Sequence, residues 1–480
     1  MPEQAPSHRV ETVSDPYAGA LDGLRDTFRS GRTRPLAWRR QQLTGLRAML
    51  TEHREALSAA ASADVGKPLP EAELSEIFTV VQEVEDLQAN LERWTAPTPV
   101  RLPLVFRPAK ARTQHRPKGV VLVIGPWNFP VLLLLSPLAG VLAAGNVALV
   151  KPSEVAPRVS ALMADLLPRY LDPEAVVVVE GGAEETTALL THRFDHIVFT
   201  GSASVGRVVM RAAAEHLTPV TLELGGKSPA YVDASVHLRT VAQRLVWGKF
   251  LNAGQACVAP DYVLATPDVH DDLLAELARA VRSAFGEDPR RSPDYGRIVD
   301  DRHFDRLVGL LEGSSPVVGG QHDRGERYVA PTVVAGVTPG DRLMQEEIFG
   351  PILPVLRVAD PAQALDVIEA NPHPLALYVF SEDAAVRAAF EEESLSGALA
   401  FNAPLAHQSA PGLPFGGVGA SGHGRYHGEH SIREFSHERA VLDKPLRPDT
   451  LATLYPSPGP GLALVRRLML RPMRRRSVTG

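Results

Sequence analysis

The sequence predicts an α/β protein made of two doubly wound units, and three observations carry that prediction. Short apolar runs alternate with helical stretches at 120–124, 147–150, 175–179, 196–199 and 219–222, the pattern of strands feeding crossover helices. A second series of the same kind runs from about 228 to 398 and includes strands at 262–266, 352–358 and 377–380. The chain of 480 residues has room for two or three domains, and its 44% apolar and 22% charged residues match a soluble globular composition.

In chain order, residues 1–20 are polar, carry Pro, Glu and Asp, and lack the apolar core of a secretory signal, which points to the cytoplasm. Residues 20–95 read as helical, with 37–61 as one amphipathic stretch. Ala96-Pro-Thr-Pro99 ends that region, and 100–117 alternates like an exposed hairpin. No charge lies between Lys118 and Lys151, a length that passes a crude transmembrane test. Gly125-Pro126, Asn128, Pro130, Pro137, Gly140 and Gly145-Asn146 interrupt it, so it reads better as a buried strand, a loop, an apolar helix and a second buried strand. Lys+Arg 50 against Asp+Glu 56 gives −6, which excludes nucleic-acid binding through bulk charge.

Cys257 is the only cysteine. It cannot form an intramolecular disulfide or a thiolate metal site alone, so it is an inert packed thiol or a nucleophile. Ala253, Gly254 and Ala256 let other groups approach the sulfur closely, and Glu223 opens the upstream run Glu-Leu-Gly-Gly-Lys-Ser-Pro229. A thiol and a carboxylate in such settings fit a nucleophile with a general base. Phe199-Thr-Gly-Ser202-Ala-Ser-Val-Gly206 joins an apolar strand to a helix; it is an ordinary turn or a seat for an anionic pyrophosphate. Lys151-Pro-Ser-Glu154 ends another strand and is either a solvated helix start or a hold on ribose hydroxyls. Gly417-Val-Gly419-Ala-Ser-Gly422 matches the dinucleotide fingerprint literally, but it follows no apolar strand and reads as a structural loop. His423, His427, His430 and His437 lie without a supporting carboxylate pattern, so no metal site is expected.

Seven runs together resemble the NAD(P)-dependent aldehyde dehydrogenase superfamily. They are Gly125-Pro-Trp-Asn-Phe-Pro130, Lys151-Pro-Ser-Glu154, Phe199-Thr-Gly-Ser202, Glu223-Leu-Gly-Gly-Lys227, Gly254-Gln-Ala-Cys257, Glu346-Glu-Ile-Phe-Gly-Pro351 and Pro414-Phe-Gly-Gly417, in the family's order over roughly 30–440. Cys257-Val-Ala-Pro-Asp-Tyr262, Tyr295-Gly-Arg-Ile298, Pro374-Leu-Ala-Leu-Tyr378 and Tyr426-His-Gly428 resemble the class 3 branch, which takes fatty and aromatic aldehydes.

The resemblance implies a division of roles. Cys257 is the expected nucleophile, Asn128 the oxyanion donor, and Glu223 the base that activates water against the thioester. Lys151 and Glu154 match the adenine-ribose contacts, and Thr200, Gly201 and Ser202 the pyrophosphate turn. Glu347 matches the nicotinamide-ribose contact, with Phe349 and Trp127 nearby. The expected reaction turns medium- or long-chain aliphatic or aromatic aldehydes into carboxylic acids through a cysteine thiohemiacetal and thioester. The rivals are a CoA-acylating enzyme, against which Glu223 argues, and a catalytically silent relative, against which the intact trio argues. Glu154 would repel a 2′-phosphate, which favours NAD while leaving NADP possible. Pro137 stands where many superfamily members carry Lys, as in class 3. The segment from Phe401 to Leu413 departs from class 3 and borders the substrate funnel.

The implied fold has a cofactor domain (1–98 and 118–222), a catalytic domain (223–398) and a small β bridging and oligomerisation element with an active-site loop (99–117 and 399–446). The element joins the hairpin near 100–117 to a strand near 430–444, and its open sheet edge implies a homodimer. Residues 447–480 form a Pro-rich spacer and a basic tail. Within it, 462–476 carries six arginines among Leu, Val and Met, a pattern that fits either peripheral contact with an anionic membrane or a tail that is disordered or docked on a neighbouring subunit.

Overall fold

A computed structural model describes residues 15–450 and Arg467. The basic stretch 462–476 therefore lies, apart from Arg467, outside the described residues.

Strand Val120–Ile124 is a run of β-branched and aliphatic residues, buried throughout, and it forms the centre of a six-stranded sheet. From it the chain builds outward through Val147–Lys151 and Val176–Val178, all parallel. It then returns to the other flank with His196–Thr200 and Val220–Glu223. The direction of winding reverses beside the central strand, and in such sheets ligands bind at the carboxyl ends of the strands near that reversal. The residues that follow those ends are Gly125 to Asn128, Lys151, Thr200 to Ser202, and Glu223.

The stretch without charges folds as anticipated. Helix Leu132–Ala144 is buried at every position because it packs between the sheet and helices Leu36–Glu52, Thr79–Thr95 and Glu429–Glu434. Among the described residues no helix is long and apolar enough to cross a membrane.

A seven-stranded sheet runs in the order Pro316–Val318, Thr332–Val334, Ile352–Arg357, Tyr262–Ala265, Pro229–Val232, Ala376–Phe380, Ala398–Phe401. All its pairs are parallel except the first. A three-stranded antiparallel sheet joins Thr98–Val100, Lys110–Pro117 and Ser436–Asp443, with Ser436 opposite Pro117 and Asp443 opposite Lys110. The protein is thus two doubly wound α/β layers linked by a small β element.

One predicted helix is two. The stretch 37–61 breaks at His53, whose backbone (φ −107°, ψ 19°) leaves the helical region between Leu36–Glu52 and Arg54–Val65. The first of these packs on helix Thr79–Thr95, while the second turns toward helix Pro157–Tyr170 and the turn Glu73–Phe78.

The glycine loop at 417–422 has a structural place. Gly422 pairs antiparallel with Glu223, and Leu224 N–H donates to Ser421 O at 3.0 Å. Gly422 has φ +124°, and a side chain there would meet Leu222 O at 1.9 Å, so only glycine fits. The loop closes the edge of the six-stranded sheet beside Glu223.

Candidate active site

Cys257 follows helix Leu238–Phe250 and the tight turn Leu251–Gly254. Three successive residues of that turn are left-handed: Asn252 (φ 52°), Ala253 (φ 51°) and Gly254 (φ 76°). Two of them are not glycine, so the conformation costs energy that surrounding bonds must offset. Glu71 Oε1 accepts from Asn252 N–H at 2.8 Å. Gln255 is buried, donates to Asn252 O and Arg297 O at 3.0 Å each, and accepts from Val299 N–H. On the far side of the thiol, Tyr378 O–H donates to Val258 O at 2.6 Å. The nucleophile candidate is thereby fixed from both directions along the chain.

Asn128 comes from the other sheet, in the loop after the central strand. Its Nδ2 donates to Gln255 O at 3.1 Å, and its own carbonyl accepts from Asn252 Nδ2 and Lys67 Nζ at 2.9 Å each. An amide carries two N–H donors, so one remains for a ligand. Lys67 is fully buried, pairs with Glu76 at 2.7 Å and lies 3.9 Å above the Phe129 ring. The second Glu76 oxygen accepts from Val131 and Leu132 N–H at the start of the buried helix. Lys67 and Glu76 escaped the sequence reading, which placed residues 1–98 in the cofactor domain but singled out no side chain there.

Glu223 ends its strand, is buried, and has one carboxyl oxygen without a hydrogen-bond partner. Burial raises its pKa to about 8, partly offset by a hydrogen bond with the Cys257 thiol. Burial also pushes the Cys257 thiol well up, and the neighbouring Glu223 adds to that. In this pair the proton affinities of acid and thiol are both raised by burial, and the hydrogen bond between them gives a direct path for a proton.

Glu347 is half-buried, and its carboxyl lies against the Gly225–Gly226 backbone. Burial, with a contribution from the Asp261 charge, raises its pKa to about 8. Its position is set by Lys227, which pairs with Asp261 and donates to Leu343 O and Glu346 O at 2.8 and 2.9 Å. Asp261 in turn accepts from Ile348 N–H at 3.1 Å. Phe349 packs edge-on against Trp127, ring centroids 5.5 Å apart, so the two sheets meet through aromatic side chains. Cys257, Glu223, Asn128, Glu347, Phe349 and Trp127 are thus brought to one region between the sheets.

Lys151, Glu154, Gly201 and Ser202 stand apart from the thiol, along the same sheet edge. Lys151 is buried and donates to Pro152 O at 2.9 Å and to the half-exposed Glu154 at 3.2 Å. Ser202 caps helix Ala203–Ala214 by accepting from Val205 N–H, leaving the other first-turn N–H groups free to face an anion. Val205 and Val208 of that helix are exposed, an apolar shelf that the sequence reading did not single out. Thr200 is buried, and its hydroxyl has no partner. An anion seat, an apolar shelf and a carboxylate with a buried lysine suit a dinucleotide. Among the described residues no group of three or more His, Cys, Asp or Glu side chains could hold a metal.

Set against known families, residues 11–441 match the Aldehyde dehydrogenase family. The chain belongs to that family. It is an oxidoreductase that oxidises aldehydes with NAD(P). Aldehyde dehydrogenase family 3 member A2 of Rattus norvegicus is 46% identical over 434 residues, 90% of each chain. The dimeric NADP-preferring aldehyde dehydrogenase of Canis lupus familiaris is 44% identical over 444 residues, 92% of this chain and 97% of its own. Among solved structures, Staphylococcus aureus AldH in a substrate-bound state superposes with a TM-score of 0.91 at 39% identity, covering 94% of this chain and 99% of its own. An indole-3-acetaldehyde dehydrogenase complexed with NAD+ gives 0.82 at 26% identity, over 89% and 88%. This aldehyde dehydrogenase therefore matches the class 3 resemblance over nearly its whole length.

Proposed function

We propose that this enzyme converts medium- or long-chain aliphatic or aromatic aldehydes to carboxylic acids, with Cys257 as nucleophile, Asn128 as oxyanion donor and Glu223 as base. The observation that carries the reading is the buried thiol beside a carboxyl of raised proton affinity, with Asn128 tied to the same turn through Gln255 O. Glu223 takes the thiol proton as the sulfur adds to the aldehyde carbon, and Asn128 donates to the oxygen that gains charge, a contact worth about 3 kcal/mol at the transition state. NAD(P), when bound, supplies the hydride acceptor. Glu223 gives that proton up to solvent before it takes one from water, and the acid leaves as the sulfur is released.

We assign the unit around the six-stranded sheet to cofactor binding and the unit around the seven-stranded sheet to catalysis. Lys151, Glu154, Trp127, Thr200, Gly201 and Ser202 would hold the cofactor on one side, and Glu347 and Phe349 on the other. The half-exposed Glu154 disfavours a 2′-phosphate, so NAD is the preferred cofactor here, although the canine relative is named NADP-preferring. The decisive test is Cys257→Ala, which should abolish reduced-cofactor formation while retaining NAD binding; residual turnover would reject the assignment.

The same enzyme is expected to be a homodimer, joined along the open edge of strand Ser436–Asp443. Membrane contact through 462–476 rests on the charge pattern alone, and truncation after Pro460 tests it: equal pelleting of both forms with anionic liposomes would end it.

A further inference from the structure

Three polar atoms near the thiol are buried and have no hydrogen-bond partner: Glu223 Oε1, Thr200 Oγ1 and the Tyr426 hydroxyl. Buried polar groups are nearly always paired, so three together mark a place shaped for a small polar guest. Their proximity follows from the backbone. Thr200 and Glu223 are direct partners on adjacent parallel strands. The segment leading to Tyr426 is stitched to the same strand by the Gly422–Glu223 pairing, and Tyr426 exchanges two backbone hydrogen bonds with Phe415 at 2.9 and 3.0 Å. The Tyr426 ring is fully buried, edge-on to Phe415 and to His427 with centroids 5.6 and 5.0 Å away. Its hydroxyl lies beside Thr200 without closing a bond that satisfies either group, in the field of both Glu223 and Cys257.

We propose that Tyr426 and Thr200 complete, with Glu223, the seat of the water that hydrolyses the Cys257 acyl-enzyme, Tyr426 acting as the positioning residue. The inference rests on the catalytic reading above. Water is held by the two hydroxyls and by Glu223 Oε1. Its oxygen adds to the thioester carbonyl carbon while Glu223 accepts one of its protons. The adduct collapses with cleavage of the C–S bond, the sulfur leaves as thiolate, and the carboxylic acid is released. No oxidant is consumed in this half-reaction, because oxidation is complete once the thioester exists. Two neutral hydroxyls suit the task, since they can orient the water without competing with Glu223 for its proton.

The test uses the full chain with NAD, an aldehyde that the wild type oxidises, and the variants Tyr426→Phe and Tyr426→Met. Tyr426→Phe should form its first equivalent of reduced cofactor per Cys257 at the wild-type rate. Subsequent turnover should fall about tenfold, the scale of one lost hydrogen bond. Intact mass after acid quench should reveal acylated Cys257 accumulating in the variant. Tyr426→Met, which also lacks the hydroxyl, should give the same split, which keeps the test available if Tyr426→Phe folds poorly. Wild-type steady-state turnover in both variants would overturn the proposal. So would a first turnover slowed in parallel with later ones and no acyl-enzyme, the signature of a merely structural tyrosine. If instead the catalytic reading is at fault, Cys257→Ala retains turnover and no form of the enzyme carries an acyl group on Cys257.

Discussion

Glu223 decides the pH behaviour of the chemistry. Burial holds its pKa near 8, so at pH 6.5 it is mostly protonated and cannot accept a proton from thiol or water. The carboxylate fraction grows as pH rises through about 8, so turnover should climb over the same range. Glu223→Gln should remove that limb and slow both the addition of the thiol and deacylation; unchanged steady-state turnover would refute the base assignment. Cys257 and Glu223 were legible as candidates because each stands in a small-residue run, whereas Asn128 was legible only through the family resemblance of Gly125-Pro-Trp-Asn-Phe-Pro130. Their proton affinities were not legible, because they arise from burial that exists only after two distant sheets close over the pair. Tyr426 was visible only as part of a branch-specific tripeptide, since its seat beside Glu223 depends on the antiparallel pairing of Gly422.

At the level of elements, the turn Leu251–Gly254 and the loop carrying Asn128 form one unit. The turn holds a strained conformation, and Lys67 reaches Asn128 from 61 positions away to brace the loop that meets it. Breaking a buried ion pair by removing one partner typically costs about 3–5 kcal/mol, because the other charge stays buried. Lys67→Met should therefore lower unfolding stability by about that amount in urea titration. It should also reduce kcat more than cofactor affinity, since the loss displaces Asn128. Strands 120–124 and 147–151 could be read from sequence because burial on both faces demands unbroken apolar runs. The break at His53 could not, because no Pro or Gly marks it and both helices pack on Pro157–Tyr170, the first also on Thr79–Thr95 and the second also on Glu73–Phe78. Lys67 was equally hidden, as its partner in function is set by tertiary folding.

At the scale of the whole molecule, buried titratable groups set a working window. Glu71 and Glu83 are raised to about 7, and Glu223 and Glu347 to about 8, each chiefly by burial. Between their unfolded pKa near 4.5 and these values the folded state binds more protons, so these groups lose stabilising effect as pH rises. His407 and His427 are lowered to about 4 by burial, and their effect runs the opposite way, weakening the fold as pH falls below 6.5. From pH 6.5 to 8 the acids act without that opposition, so Tm should fall across the interval in which activity rises; a flat or rising Tm would contradict this. The edge strand Ser436–Asp443 carries Leu442, 58% exposed, on a side that nothing among the described residues covers. Light scattering should give twice 51.8 kDa for the wild type and a shift toward the single-chain mass for Leu442→Asp. The lone cysteine, finally, leaves the protein without a resolving partner. Should peroxide convert Cys257 to a sulfenic acid, no second thiol of the chain can trap it as a disulfide, and recovery depends on an external reductant before further oxidation becomes irreversible. The same solitude makes every thiol-specific label on this protein a count of intact Cys257.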